Sequence, residues 1–218
     1  MRIEFQRNLK GNQYYDASAP KQGFLTSFWQ LNNEMLSANA RIDTPHHWMS
    51  KWWSWPLNLR GLLYFSEDVD KVRKTQRLVY LLGNPAVIWL ILVGVCVAFG
   101  FAFVYCRYRH DSELRLPRSW GATMRVVTYL CLVYLCNLLP YILVSRSAFI
   151  YHYMPALLYG ELIFGVLVDR LCNQFAPTVT KYLTLTVLLV WLHFAPWVYC
   201  LEAGADDHAR RRWLKGWD

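Results

Sequence analysis

The residues best suited to chemistry fall in two polar stretches, HHWMSKWWSWPLNLRG at 46–61 and SRSAFIYHYMPA at 145–156. The first sets Trp48, Trp52, Trp53 and Trp55 within eight residues, among His46, His47, Lys51 and Arg60, and is cut by Pro56. It is too polar to span a membrane. Tryptophan favours the membrane–water boundary, where its ring is apolar and its N–H is wet. The stretch is therefore either an aromatic belt that anchors a loop, or one wall of a site for a sugar, a lipid phosphate or a peptide. The second stretch carries Arg146 and His152 at the end of an apolar run. An arginine there either grips a lipid phosphate through two parallel hydrogen bonds or snorkels to bulk lipid heads.

Transfer to a hydroxyl needs a base placed to take its proton. The polar segment offers Glu34, Asp43, Glu67, Asp68 and Asp70. The last three belong to SEDVDKVRKTQRL at 66–78, whose seven charges read as a solvated loop or short helix. Asp43 precedes the histidine pair but has no partner carboxylate. Side chains of adjacent residues diverge, and His46 and His47 have no Cys, Asp or Glu at ligand spacing, so no metal site is expected. Glu161 is the one carboxylate deep in an apolar run. Such groups are costly and often functional, but its depth suits a buried hydrogen bond and a structural role. No catalytic constellation is expected in this chain.

The elements that must position these residues follow from hydropathy. The chain has 218 residues, 55% hydrophobic and only 17% charged, against about 25% charged in ordinary soluble domains. From Pro85 onward, apolar runs alternate with short polar ones, the pattern of a polytopic membrane protein. Four spans are expected, at about 85–105, 122–144, 148–168 and 182–201. The first has no charge in 21 residues and reaches about 31 Å, the thickness of a hydrocarbon core. Asn137 and Pro140 interrupt the second, and a loop is expected at 169–180. The net charge of +8 is read as topology and lipid-head contact rather than nucleic-acid binding.

The loop at 107–118 holds four Lys/Arg and the turn at 145–147 one. That bias puts the loop in the cytosol and residues 1–84, the turn and the tail at 202–218 on the other side. The basic residues of the tail disagree. The six cysteines lie within or beside the apolar runs and read as small buried hydrophobes, not a disulfide framework. Before the spans, RIEFQ alternates like a strand. In FLTSFWQLNNEMLSANA, Phe24, Phe28, Leu31 and Met35 recur at helical spacing, and Ser27 with Gln30 matches a capping box. The expectation is one amphipathic helix over about 27–40, packed on a neighbour or lying at an interface.

Together these stretches resemble the C-terminal region of the protein O-mannosyltransferases (dolichyl-phosphate-mannose–protein mannosyltransferases). FLTSFWQLNNEMLSANA is similar to the helix after their lumenal MIR domain. HHWMSKWWSWPLNLRG resembles their His, Ser, Trp-Pro, Arg-Gly pattern. LLGNPAVIWL and SRSAFIYHYMPA resemble their GNP-then-Trp span entry and their Arg…Phe…His-Tyr-x-Pro-Ala turn.

The resemblance implies an all-α membrane protein of GT-C type: a four-helix bundle at 85–201 behind a lumenal, interfacial segment at 23–84, with 1–22 as the possible end of a MIR-like domain. It implies an endoplasmic reticulum enzyme that moves mannose from dolichyl phosphate to Ser or Thr of lumenal proteins, inverting the anomeric centre. Such enzymes pair as dimers of related subunits. No metal and no cofactor are implied, and the donor is dolichyl-phosphate-mannose. The family's catalytic Asp-Glu pair belongs to an N-terminal half that this sequence does not contain, so the chain is expected to be a fragment or split subunit, inactive alone. Arg146, His152, Tyr153, His47, Trp55 and Arg60 become candidates for the donor phosphate or the lumenal surface, and Trp52, Pro56, Asn84, Pro85 and Glu161 for structural roles. The alternative is a non-catalytic membrane subunit that pairs with a mannosyltransferase. A small transporter is disfavoured, because no inverted repeat or pair of broken helices is visible.

Overall fold

The computed structural model describes residues 7, 10, 11, 13–19, 21–41, 45–70, 72–110, 118–144 and 146–217. The strand expected at 2–6 and Asp43 lie outside the described residues. The chain forms two compact units, Met1–Pro45 with Ser145–Ser147, and His46–Val144 with Ala148–Asp218.

The first unit is built on helix α1 (Phe24–Ala40). It begins one turn earlier than the capping-box reading expects. Gly23 in an extended conformation is the N-cap, with no side-chain cap, and its carbonyl accepts the Ser27 N–H at 3.0 Å. Phe24 is 79% exposed, and Leu25, Trp29 and Leu36 are exposed as well.

The second unit opens with the aromatic loop at 46–61 and continues into a hairpin, β1 (Leu62–Asp70) and β2 (Thr75–Leu81). This corrects the loop or short helix expected at 66–78. Of the charges that suggested a solvated loop, Glu67, Asp68 and Arg77 sit on exposed strand positions, with Glu67 opposite Arg77 and Asp68 opposite Gln76. Opposite-charge and polar cross-strand pairs stabilise a two-stranded ribbon. Leu63, Leu78 and Tyr80 turn to an apolar cluster instead.

Helix α2 (Pro85–His110) follows. Asn84 is its N-cap: Oδ1 accepts from Ala86 N at 3.0 Å and Val87 N at 3.4 Å. Pro85 stands at the first helical position, where its missing N–H costs nothing. Its last turn carries Arg107 and Arg109, cations that suit the negative end of a helix.

Helix α3 (Arg118–Leu138) ends in a 3₁₀ turn at Leu139–Ile142 containing Pro140. Next, a 3₁₀ turn at Ile150–Tyr153 leads into α4 (Met154–Cys172). After a second turn at Asn173–Phe175 comes α5 (Ala176–Val198).

Three segments are long and apolar enough to cross a membrane: Pro85–His110, Trp120–Ile142 and Ile150–Val198. The third has 49 residues, about 73 Å if straight, twice a hydrocarbon core. It breaks at Asn173, whose φ of 46° reverses the chain, so four helices result. The loop expected at 169–180 is helical on both sides of this short turn. Pro177 sits in the first turn of α5, where proline is tolerated, and the Arg170 guanidinium lies 4.8 Å over the Trp120 ring.

Helices α2 and α4 run side by side through glycine. A Cβ at Gly160 would collide with Ile91, and one at Gly94 with Phe164. Small residues let membrane helices approach closely where lipid gives no hydrophobic drive. Val127, Cys131, Ile163 and Leu167 fill the core around them.

The tail is not simply polar. Ala203–Gly204 forms β3, which adds to β2, and α6 (Ala205–Arg211) follows. Trp217 is fully buried with Tyr80, Phe194 and Trp197 in a second apolar cluster.

Candidate functional site

The aromatic loop is rooted by one residue. Trp55 is fully buried and belongs to the core of the bundle. Its ring meets Tyr141 edge-on at 4.9 Å and stacks on His152 at 6.1 Å, geometries favoured by the ring quadrupole. Its indole N–H donates to Ser50 Oγ at 2.9 Å. Ser50 is buried too, and its backbone N–H donates to the Ala148 carbonyl at 2.8 Å. The loop at 46–61 is thus tied by side chain and backbone to the turn that starts α4.

His152 sits between elements rather than in front of them. It is half-buried, with the Tyr151 ring stacked at 4.4 Å and Tyr141 edge-on at 5.3 Å. Its Nδ1 lies 3.1 Å from both the N and the O of Phe149. It is thus held to the Phe149 backbone whichever ring nitrogen carries the proton. Tyr153 is buried, and its hydroxyl shares a 2.9 Å hydrogen bond with the Tyr134 hydroxyl of α3.

The rest of the loop is held from the other side. Arg60 donates to the His47 carbonyl at 2.8 Å, with its guanidinium 5.6 Å from the Trp48 ring. Trp48 meets Tyr80 of β2 at 5.8 Å. Trp52 is half-buried against the bundle core. Pro56 stands in the turn just after the buried Trp55. Trp89 of α2 donates to the Leu57 carbonyl at 3.1 Å. Asn84 also donates from Nδ2 to Val187 O at 3.1 Å, tying the entry of α2 to α5.

Two further residues carry the arrangement and were not singled out in the sequence. Asn58 is fully buried with φ 54°. It donates to the Gly83 carbonyl at 2.8 Å, and its own carbonyl accepts the Trp217 indole N–H at 2.7 Å. His208, also buried, accepts from Trp197 Nε1 at 2.9 Å and lies 3.3 Å from Gln76 O. An asparagine after Trp-Pro-Leu is a signal for a left-handed turn. The tail histidine and tryptophan gave no signal, because their partners are far away in sequence.

These contacts tie the aromatic loop to the start of α4, the hairpin and the tail. Among the described residues no carboxylate pair faces the aromatic loop. Asp68 accepts from Gln76 at 2.6 Å, and Asp70 accepts from Val72 N and contacts Arg73. No group of His, Cys, Asp and Glu among the described residues could hold a metal. The exposed nitrogen-bearing side chains of the loop include His46, His47 and Lys51. Arg146 belongs to the first unit, where it donates to Asn39 Oδ1 of α1 at 3.0 Å. Glu161 makes no hydrogen bond or ion pair to a described residue. It lines a cavity between α2, α4 and α5 instead of closing a buried hydrogen bond.

Residues 24–217 match the family described as the C-terminal four-transmembrane region of protein O-mannosyltransferase. The chain is 27% identical to dolichyl-phosphate-mannose–protein mannosyltransferase 3 of Saccharomyces cerevisiae, over 99% of its own length and 30% of the relative's. It is 26% identical to protein O-mannosyl-transferase 2 of Danio rerio, over 91% and 28%. Its fold is similar to a solved S. cerevisiae protein O-mannosyltransferase Pmt1–Pmt2 complex bound to the sugar donor, with a TM-score of 0.75 and 25% identity over 95% of this chain and 29% of that one. The chain spans less than a third of the length of these relatives.

Proposed function

As the chain belongs to the protein O-mannosyltransferase family through its C-terminal four-transmembrane region, we propose that it is the membrane module that braces a dolichyl-phosphate-mannose-dependent transferase. The donor class is the one for which the yeast relative is named. The assembled enzyme moves mannose to Ser or Thr of proteins in the endoplasmic reticulum lumen. The single observation that carries this reading is the family match over nearly the whole chain. The geometry agrees with it. Trp55 and Tyr153 use their polar groups on the Ser50 and Tyr134 hydroxyls, and His152 uses Nδ1 on the Phe149 backbone, which suits support rather than proton transfer.

The entry of α2, the end of α3, the start of α4 and the end of α5 meet the aromatic loop, the hairpin or the tail. That face is the lumenal one in this proposal. The loop at 107–118 is then cytosolic. His47 and Arg60 of the second unit are the side chains offered toward a donor phosphate, Arg146 of the first unit is a separate candidate for that role, and a related subunit pairs with the chain, as in the solved Pmt1–Pmt2 complex. A non-catalytic partner subunit would use the same brace. The absence of a carboxylate pair at the loop among the described residues favours either over a complete enzyme.

The test is mannose transfer in microsomes to a Ser/Thr-rich acceptor peptide, with dolichyl-phosphate-mannose as donor. The chain alone should give none. The chain supplied with the rest of a family enzyme, on one polypeptide or two, should give transfer, and Trp55→Ala should reduce it at least tenfold. Transfer by the chain alone, or transfer that never depends on the chain, would overturn the proposal. Arg146→Ala in the assembled enzyme should weaken donor binding; unchanged donor affinity would remove Arg146 from the phosphate site.

A further inference from the structure

The bundle packs tightly on one side and opens on the other. Along α4, Gly160 turns to Ile91 of α2 with no room to spare, but a Cβ at Gly165 would meet nothing within 4 Å. Gly165 lies on the floor of a cavity of about 800 Å³ between α2, α4 and α5. Two stripes at helical spacing form its sides: Glu161, Gly165 and Val168 on α4, and Thr180, Thr184 and Val187 on α5. Residues four and seven apart share one face of a helix, so each stripe is a continuous wall.

Glu161 is the anomaly in this wall. It lies seven residues inside α4, about 10 Å along the axis, and is exposed to the cavity. It makes no hydrogen bond or ion pair to a described residue. A carboxylate at that depth is expensive, and such groups almost always face a bundle interior or pair with another group. A lipid chain supplies no donor. A helix with a lysine, arginine, amide or hydroxyl at the matching depth does. Small residues at an interface, here Gly165 with Thr180 and Thr184, are what allow a helix to come close enough. The relatives are more than three times as long as this chain, so the length they hold beyond this region is available to supply such a helix.

We propose that the groove between α4 and α5 seats a membrane-spanning helix from the remainder of the mannosyltransferase, which presents a hydrogen-bond donor or cation to Glu161. This rests on the reading that the chain works with that remainder.

The test is site-specific photocrosslinking in native membranes, with benzoyl-phenylalanine in place of Thr184 in the assembled enzyme. The expected result is a polypeptide adduct that maps, by mass spectrometry, to an apolar helix of the transferase carrying a donor residue. Its yield should fall about tenfold in the Glu161→Leu background, the change expected from 1.4 kcal/mol, and less in Glu161→Gln. Protection of the buried Cys131 thiol should stay unchanged in both backbones and so separate docking from misfolding. A lipid adduct, no adduct, or a yield indifferent to Glu161→Leu would overturn the groove assignment. Mannose transfer, measured in the same membranes, reports separately on the enzyme reading. Transfer intact with the adduct absent overturns only the groove.

Discussion

Trp55→Ala is the sharpest perturbation of the brace. The indole is fully buried, touches Tyr141 and His152 face and edge, and donates to Ser50. Removing a buried aromatic side chain costs about 3–5 kcal/mol, since the transfer energy and the cavity add. That loss already includes the ring contacts, each worth roughly 0.5–1.5 kcal/mol. For a chain of this length about 2–4 °C of melting temperature goes with each kcal/mol, so the midpoint should fall by roughly 10 °C. The assay is thermal unfolding in detergent, followed by reaction of a thiol-reactive dye with Cys131, which is buried in the same core. Trp53→Ala is the internal control. Trp53 is 49% exposed, and substitutions away from packed features stay within about 0.5 kcal/mol. Trp55→Phe keeps a ring but loses the donor to Ser50 and should cost about 1 kcal/mol. If Trp55→Ala melts within 2 °C of the parent, or Trp53→Ala costs as much, the loop is not rooted through Trp55 and the brace argument fails.

Other positions give independent checks by the same thermal assay. Gly160→Val should destabilise by about 1–3 kcal/mol through the clash with Ile91, whereas Gly100→Ala, with open space around it, should be neutral or gain up to about 1 kcal/mol. Tyr153→Phe leaves the buried Tyr134 hydroxyl without its partner and should cost about 1–3 kcal/mol; adding Tyr134→Phe should recover part of that, because both polar groups are then gone. His208→Ala orphans the Trp197 N–H and should lower the midpoint by a similar amount, with tail proteolysis near 205–217 rising as the readout that locates the damage. Asn84→Ala removes the cap of α2 and the tie to Val187 and should cost about 1–2 kcal/mol, with Asn84→Asp restoring the cap alone.

The amino-acid sequence by itself determined the membrane character, the apolar runs that become α2–α5, and the family. Hydropathy is a local sum, and a run of uncharged residues after Pro85 has no soluble alternative. The family motifs are local as well: Trp55-Pro56, Asn84-Pro85 and the His152-Tyr153 turn are each read within a few residues. Asn84 and Pro85 even announce their helix start, because capping chemistry spans only three residues.

Tertiary structure decided the rest. The hairpin at 62–81 was hidden because its strand partners are distant in sequence: Arg77 pairs with Glu202 of the tail, and the third strand comes from Ala203–Gly204. The tail looked polar because its buried members, His208 and Trp217, are single residues whose partners, Gln76 and Asn58, lie more than 130 positions away. The depth of Glu161 was legible, but its direction was not. Spacing places it on a face of α4, and only the packing of α2 and α5 leaves that face open. Local patterns fix what an element is; which of its faces finds a partner depends on contacts between distant segments, and no window of the sequence contains those.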